Sequence, residues 1–271
     1  MIRLALRVRR ADAEAVLAEL LELAPNGVEE TEEGDVIEYA VYGAPGELPA
    51  LPDLRAAAGE AFVDVHTQEI PDDWTDSWRA FHRPVEVAGR IRVRPPWEGP
   101  AADPDLVDLV VDPGQAFGTG SHATTRLCLE LLLDLPPAGS LADLGCGSGV
   151  LAIAAARLGF SPVTALDHEV AAVQATTYNA QVNGVALDVR RWDLRAETAP
   201  VADTILANLL RPLLLELAAA LEESPRHLIV SGLLRAECDE VAAAFAARGL
   251  HERDRREDGE WAALRLEGPS L

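Results

Sequence analysis

The sequence predicts an α/β protein, in which a doubly wound, Rossmann-like parallel sheet follows a small N-terminal α+β domain of ferredoxin-like character. Three observations predict this fold class. A short apolar strand runs into a glycine-spaced turn and then a helix within GSLADLGCGSGVLAIAAARLG, which begins at residue 139. Strands and helices alternate after this turn and end in two consecutive strands, as in a parallel sheet with one antiparallel strand. The predicted elements of the first stretch of about fifty residues follow the order β-α-β-β.

The N-terminal domain is predicted over residues 1–46. Apolar residues alternate with arginine from Ile2 to Arg9, which indicates a half-buried strand, and a helix with one apolar stripe begins at Asp12. Two strands follow between residues 28 and 42. The segment carries no catalytic constellation, so we interpret it as a substrate-recognition domain. The alternative is a packing extension of the larger domain.

Residues 47–70 are predicted to form a linker that contains a short helix and a strand, and the larger domain is predicted over residues 71–271. Near its start, Trp74, Trp78 and Phe81 have the spacing i, i+4, i+7 of one helix face. Such an aromatic stripe favours core packing over an aromatic platform for substrate.

A glycine-rich loop, DPGQAFGTGSHATT, begins at residue 112 and is predicted to cover a ligand, because its glycines give it too much backbone freedom for regular structure. Gly118 and Thr119 are candidate cofactor contacts in this loop. At the first turn of the next helix, Thr124 or Thr125 can offer a hydroxyl to a ligand carboxylate, with a plain helix cap as the alternative. His122 has no second ligand at metal spacing, so we predict no metal site.

The glycine turn predicts a nucleotide-type ligand. Its spacing is G-x-G-x-G, with Val150 where a dinucleotide fingerprint needs its last glycine. Asp143 precedes the turn and suits a cationic ligand such as a sulfonium, which favours S-adenosylmethionine over NAD. Asp167 ends the next strand, where an acid usually binds a ribose diol. We therefore predict Asp143, Gly145, Gly147 and Asp167 as cofactor contacts, although the two acids could instead only cap the helices that follow them.

The rest of the domain continues the alternation, with helices at 169–183, 213–221 and 236–248 and strands at 186–191, 202–207, 227–231, 250–253 and 261–266. Asn208 follows the strand at 202–207. An amide at the carboxyl end of a central strand lies where open α/β sheets bind ligands. Its side-chain oxygen can accept a hydrogen bond from a substrate amine or the cofactor, and a turn-forming asparagine is the alternative.

Composition limits the partners. The 271 residues are 49% hydrophobic, which is enough for one large or two moderate cores. A net charge of -22 disfavours direct binding to nucleic acid and favours a basic protein partner. We expect a cytoplasmic monomer without membrane contact, since there is no long apolar run and the three cysteines are widely spaced. All 23 basic residues are arginine, for which codon bias is the plain explanation and avoidance of self-modification by a lysine-modifying enzyme the sharper one.

The turn, Asp167 and the number of strands resemble the seven-stranded S-adenosylmethionine-dependent methyltransferases. A closer resemblance rests on DPGQAFGTGSHATTRLCLELL, the glycine turn, Asn179, Asn183-Gly184 and ANLL at 207–210. Together with DDWTDSWRAFHRPVEV upstream, these are similar to the bacterial methyltransferases of ribosomal protein eleven of the large subunit. The resemblance covers nearly the whole chain.

The resemblance implies a protein-lysine N-methyltransferase that modifies lysine ε-amines and an N-terminal α-amine of the free ribosomal protein before assembly. It implies cofactor contacts at Thr125, Gly145, Asp167 and Asn208, and an N-terminal domain that holds the substrate. We expect Phe117 and Leu209 to form walls of the amine slot and Asn208 to orient the amine, with no essential general base. A methyltransferase of the same fold that acts on another protein or a small molecule is the alternative, followed by a non-catalytic S-adenosylmethionine-binding module.

Overall fold

The computed structural model divides the chain into two compact units, residues 1–81 and 82–271. No helix in the described part of the chain is long and apolar enough to cross a membrane. The residues that the structure describes are 2–13, 16–17, 20, 28–43, 48–49, 51–69, 82–112 and 120–268.

The first unit is built on a four-stranded antiparallel sheet with the order β2-β3-β1-β4. Its elements are β1 (Ile2–Arg9), β2 (Glu29–Glu33), β3 (Val36–Gly43), α1 (Leu51–Ala58) and β4 (Phe62–Glu69). Helical residues also lie between β1 and β2, at Ala13, Val16, Leu17 and Leu20. The order along the chain is thus β-α-β-β-α-β, and the predicted ferredoxin-like character is confirmed.

Residues 51–69 belong to this sheet unit, which corrects the predicted linker at 47–70. Strand β4 pairs antiparallel with β1, from Ile2 opposite Glu69 to Val8 opposite Phe62. The unit extends to residue 81 and not to 46, because the strand that completes its sheet, β4, is the last strand of the unit along the chain. The proposed helix face of Trp74, Trp78 and Phe81 lies outside the described residues.

The second unit begins with a small three-stranded sheet made of β5 (Val85–Val87), β6 (Ile91–Arg94) and β7 (Val107–Val110). Strand β6 pairs antiparallel with β5 and parallel with β7. Val93 and Leu109 are buried in the core that this small sheet shares with the main sheet.

The main sheet has seven strands in the order β10-β9-β8-β11-β12-β14-β13. Only β14 runs opposite to the others, so the predicted parallel sheet with one antiparallel strand is confirmed. The strands are β8 (Leu141–Leu144), β9 (Val163–Asp167), β10 (Asp188–Arg191), β11 (Thr204–Asn208), β12 (His227–Leu234), β13 (His251–Asp258) and β14 (Trp261–Glu267).

Helices cover both faces of this sheet, as a parallel sheet requires. They are α2 (Ala123–Leu133), α3 (Val150–Leu158), α4 (Val170–Val182), α5 (Arg211–Ala220) and α6 (Cys238–Ala246). One buried cluster joins α2, α3 and α4 to Leu141 and Leu206, and a second joins α5 and α6 to Leu144 and Ile205. Neighbouring residues of one strand thus serve opposite cores.

The strand order reverses at β8, which has β9 on one side and β11 on the other. In open α/β sheets, ligands bind outside the carboxyl ends of the strands at such a reversal. The residues that end these three strands are Leu144, Asp167 and Asn208.

Candidate active site

A cleft with two chambers opens at the carboxyl ends of β8, β9 and β11. The first chamber has a volume of about 450 Å³ and is bordered by residues of α2, β11, β12 and β14. The second has about 350 Å³ and is bordered by residues 192–195. The residues common to both chambers are Gly145, Asp167, His168, Leu209, Leu210 and Leu213. These volumes are in the range of small-molecule and cofactor sites.

The glycine turn between β8 and α3 forms the wall on one side. Gly145, Gly147 and Gly149 have φ angles of 75°, 53° and 82°, in the left-handed region that a Cβ atom disfavours. The Gly145 N–H donates to the Leu166 carbonyl at 2.8 Å, which holds the turn against β9. A Cβ atom on Gly149 would lie 2.7 Å from Thr176 Cγ2, so the last glycine lets α4 pack closely. The local spacing of glycines therefore has a direct structural cause.

Asp167 lies at the boundary between the chambers with a fixed orientation. One carboxylate oxygen accepts a hydrogen bond from the Gly147 N–H at 2.9 Å, and the other accepts from the Glu169 N–H at 3.0 Å. A carboxylate has about four acceptor sites, so two remain for a ligand. The side chain is nearly buried but lines both chambers. It can accept two hydroxyl hydrogen bonds from a diol.

Asp143 lies behind the turn and lines neither chamber, which corrects its predicted contact with a cationic ligand. It is 1% exposed, and one oxygen accepts from the Ala152 N–H in the first turn of α3 at 3.0 Å. Its other oxygen has no hydrogen-bond partner among the described residues. Burial raises the pKa of Asp143 to about 7, against the hydrogen bond from Ala152 and with the nearby charge of Asp167. Helix capping, the alternative interpretation, describes this side chain.

Asn208 belongs to a chain of hydrogen bonds that enters the first chamber. Its Nδ2 donates to Thr124 Oγ1 at 3.3 Å, and Thr124 Oγ1 lies 2.8 Å from His122 Nδ1. His122 Nδ1 also accepts from the Thr124 backbone N–H at 3.4 Å, so we assign the proton of the neutral ring to Nε2. The Nδ2 of Asn208 keeps a second N–H that can donate, and its Oδ1 can accept a hydrogen bond from a ligand.

His122 packs edge-on against Trp261, with ring centroids 4.9 Å apart. Burial, and then the charge of Arg126, lower the pKa of His122. Together with Leu209, Leu210 and Leu213, Trp261 gives the first chamber a largely apolar wall. No local pattern in the sequence points to Trp261, which lies more than fifty residues after Asn208.

Thr124 and Thr125, one of which was expected to offer a hydroxyl to a ligand carboxylate, differ in their surroundings. Both residues are buried, and only Thr124 lines the first chamber. The Thr125 hydroxyl has no hydrogen-bond partner within the described residues. Such a hydroxyl is costly, but Thr125 borders neither chamber, so its contact with the cofactor stays a prediction.

Helix α4 ties the glycine turn to the start of the predicted covering loop. Asn179 donates to the Ser148 carbonyl at 2.9 Å and accepts from the Asp112 N–H at 3.1 Å. Asn183 bonds both backbone polar groups of Val110. The loop beyond Asp112 includes Phe117, Gly118 and Thr119, and these three candidates lie outside the described residues.

Charge in the first chamber is acidic. Asp167 and Glu169 line it, and no arginine does so among the described residues. Arg195 borders the second chamber and pairs with Glu216 at 3.1 Å. No group of three metal-ligating side chains occurs in the described part of the chain. The cleft therefore suits a ligand that has hydroxyl groups and a positive charge.

Comparison with known families gives one match over most of the chain. The family model described as Ribosomal protein L11 methyltransferase (PrmA) matches residues 48–268. A ribosomal protein L11 methyltransferase from Heliobacterium modesticaldum is 39% identical over 199 residues, which are 71% of this chain and 63% of that protein. The chain thus spans less than two thirds of this relative.

A longer match and a solved structure agree with this. The protein of the same name from Bordetella bronchiseptica is 36% identical over 97% of this chain and 98% of its own length. The crystal structure of a ribosomal protein L11 methylase from Lactobacillus delbrueckii subsp. bulgaricus is 29% identical, with a TM-score of 0.61. It covers 70% of this chain and 100% of that one.

Proposed function

The chain belongs to the ribosomal protein L11 methyltransferase family, and on this premise we propose that it transfers methyl groups from S-adenosylmethionine to amino groups of ribosomal protein L11. The acceptors are lysine ε-amines and the N-terminal α-amine. One observation carries the proposal: the glycine turn, Asp167 and Asn208 meet at a single cleft at the reversal of the sheet.

The described residues fit the cofactor. The oriented carboxylate of Asp167 has acceptor sites for the ribose diol. The second chamber, with Trp192 and Leu194 as apolar walls and Asp193 as an acceptor, suits the purine and its amino group. The unpartnered hydroxyl of Thr125 is where the family resemblance implies a further contact.

When bound, S-adenosylmethionine supplies an electrophilic methyl group on a sulfonium. The protein must align it with an amine that carries no proton. A free lysine amine has a pKa of about 10.4. The apolar wall of Leu209, Leu210 and Trp261 removes water from the amine and disfavours its charged form, which lowers that pKa. Alignment of the two reactants can contribute about 7 kcal/mol or more.

Asn208 orients the amine. Its Oδ1 accepts an N–H hydrogen bond, while its Nδ2 stays fixed on Thr124. Each transfer adds one methyl group to the nitrogen and releases one proton, which leaves to water. His122 holds the hydroxyl of Thr124 and does not act as an essential base.

The substrate is the free ribosomal protein, and the acidic chain acts as a monomer in the cytoplasm. A protein that binds ribosomal RNA is basic, and the net charge of -22 attracts it. The first unit, which offers a ferredoxin-like sheet, holds the substrate. The three free, buried cysteines agree with a reducing compartment.

An acceptor panel tests this function. Labelled S-adenosylmethionine is incubated with the full chain and, separately, with free ribosomal protein L11, assembled ribosomes, total RNA and a small amine. We expect label in the free protein above all. Label confined to RNA or to the small amine would overturn the substrate assignment and leave the cofactor assignment intact.

A further inference from the structure

Strand β12 is irregular where it passes the first chamber. Its pairing with β14 shifts register between Val230 and Leu233, so Ser231 and Gly232 form a bulge. Gly232 has a φ of 83° and lines the first chamber. The Ser231 hydroxyl donates to the Ala262 carbonyl at 2.9 Å and anchors the bulge to β14. Bulges beside active sites commonly re-aim neighbouring groups.

This bulge is in direct contact with the backbone that follows Asn208. The Leu209 N–H donates to the Ser231 carbonyl at 3.0 Å. A Cβ atom on Gly232 would lie 2.4 Å from the carbonyl oxygen of Leu209 and 2.8 Å from its carbonyl carbon. Real Cβ atoms essentially never come within 3.0 Å of such atoms. The backbone of Leu209 therefore occupies the space that any side chain at position 232 would need.

The side chain of Leu209 packs against a second glycine, Gly145. A Cβ atom on Gly145 would lie 2.4 Å from Cδ2 of the Leu209 side chain. Both Gly145 and Leu209 border both chambers. The backbone of Leu209 thus packs against Gly232 and its side chain against Gly145, where it borders both chambers.

We propose that Gly232 is a positioning residue for methyl transfer. It sets the depth at which the backbone of Leu209 enters the cleft, and through it the placement of the leucine wall and of the adjoining Asn208 amide. This inference rests on the proposed function, in which Leu209 and Asn208 face the amine. Gly232 itself acts only through the 208–210 segment.

The test compares Gly232→Ala with Gly249→Ala. Gly249 has a similar φ of 78°, but a Cβ atom there meets nothing within 4 Å, so the control reproduces the backbone strain without the clash. In Gly232→Ala the Leu209 carbonyl must retreat by about 0.6 Å or more, the difference between 2.4 Å and 3.0 Å. Misplacement of about 1 Å can cost about 100-fold in rate. We expect kcat to fall about 10- to 100-fold relative to the control, while the Kd for S-adenosylhomocysteine changes less than about threefold.

Equal kcat values for the two variants, with an active wild type, would overturn the inference. A parallel fall in kcat and in S-adenosylhomocysteine affinity would overturn it too, because that pattern indicates general distortion of the cleft. A wild type that methylates no acceptor refutes the proposed function itself, and the inference falls with it.

Leu209→Ala provides a second variant if Gly232→Ala does not unfold cooperatively. It removes the wall that the bulge positions and leaves β12 unchanged. Because Leu209 borders both chambers, we expect kcat to fall at least tenfold, and by a larger factor than the affinity for S-adenosylhomocysteine. An unchanged kcat would mean that the position of this wall is irrelevant to transfer, which contradicts the role assigned to Gly232.

Discussion

Replacement of Asp143 by asparagine should make the larger unit more stable, by an amount that depends on pH. Burial raises the pKa of Asp143 from its usual 3.8 to about 7. Between these values the folded state keeps a proton that the unfolded state has released. The contribution of Asp143 to the free energy of unfolding therefore falls as pH rises through this window and is level above pH 7. Three pKa units correspond to about 4 kcal/mol.

Asparagine carries no charge at any pH and keeps a side-chain oxygen for the Ala152 N–H. Relative to the wild type, we expect Asp143→Asn to gain about 1.4 kcal/mol per pH unit between about pH 4 and pH 7, with no further gain above pH 7. Urea unfolding of both proteins across this range measures it, with the transition identified by its shift on addition of S-adenosylhomocysteine. The charges of other carboxylates cancel in the difference.

A stability difference between Asp143→Asn and the wild type that is independent of pH would contradict this prediction. It would mean that the carboxylate of Asp143 is charged in the folded protein and that its second oxygen has a partner. A variant that loses stability relative to the wild type as pH rises would contradict the expected direction of the pH dependence.

Three further outcomes are expected. Asp167→Asn should weaken S-adenosylhomocysteine binding, measured by calorimetry, about 10- to 100-fold, because charge-assisted hydrogen bonds contribute about 1.5–3 kcal/mol. The control variant Asp188→Asn, on the edge strand, should bind S-adenosylhomocysteine as the wild type does. Equal affinities of the Asp167→Asn variant and the wild type would remove Asp167 from the cofactor site. Thr125→Val should leave the stability of the ligand-free protein equal or higher but reduce the affinity for S-adenosylhomocysteine about threefold to tenfold, because the unpartnered hydroxyl gains a hydrogen bond only from the ligand. Lower ligand-free stability with unchanged affinity would contradict this contact. Leu210→Lys places the only lysine of the chain at the rim of the cleft, and we expect self-methylation of this lysine, detected by mass spectrometry. The control Val201→Lys, at a similarly exposed position away from the cleft, should stay unmodified. Methylation of both variants, or of neither, would count against the site.

The parts of the site that sequence predicted are those encoded over short distances. Gly145, Gly147 and Asp167 lie within one strand-turn-helix-strand segment, where glycine spacing and the end of a strand have fixed structural meanings. Asn208 was found in the same way, from its place after a central strand. The corresponding features of the fold, namely the parallel sheet and its antiparallel strand, follow from the alternation of elements.

The parts that sequence missed depend on pairing between distant segments. Strand β4 was predicted as part of a linker because its pairing partner, β1, lies at the other end of the unit in sequence. Asp143 was assigned to the ligand because a strand buried on both faces gives no indication of which face an acid takes. Trp261 and Gly232 reach the cleft only through the pairing of β12 with β14, which no local pattern encodes.

The identity of the methylated atoms is the most direct evidence for or against amine methylation by this protein. Free ribosomal protein L11 is incubated with S-adenosylmethionine and either the full chain or its Asp167→Asn variant, and the methylated positions are mapped by tandem mass spectrometry. We expect methyl groups on lysine ε-nitrogens and the α-amine, with much less product from the variant at limiting cofactor. Methyl groups on carboxylates or other side chains, or no product from a wild type that binds S-adenosylhomocysteine, would contradict it.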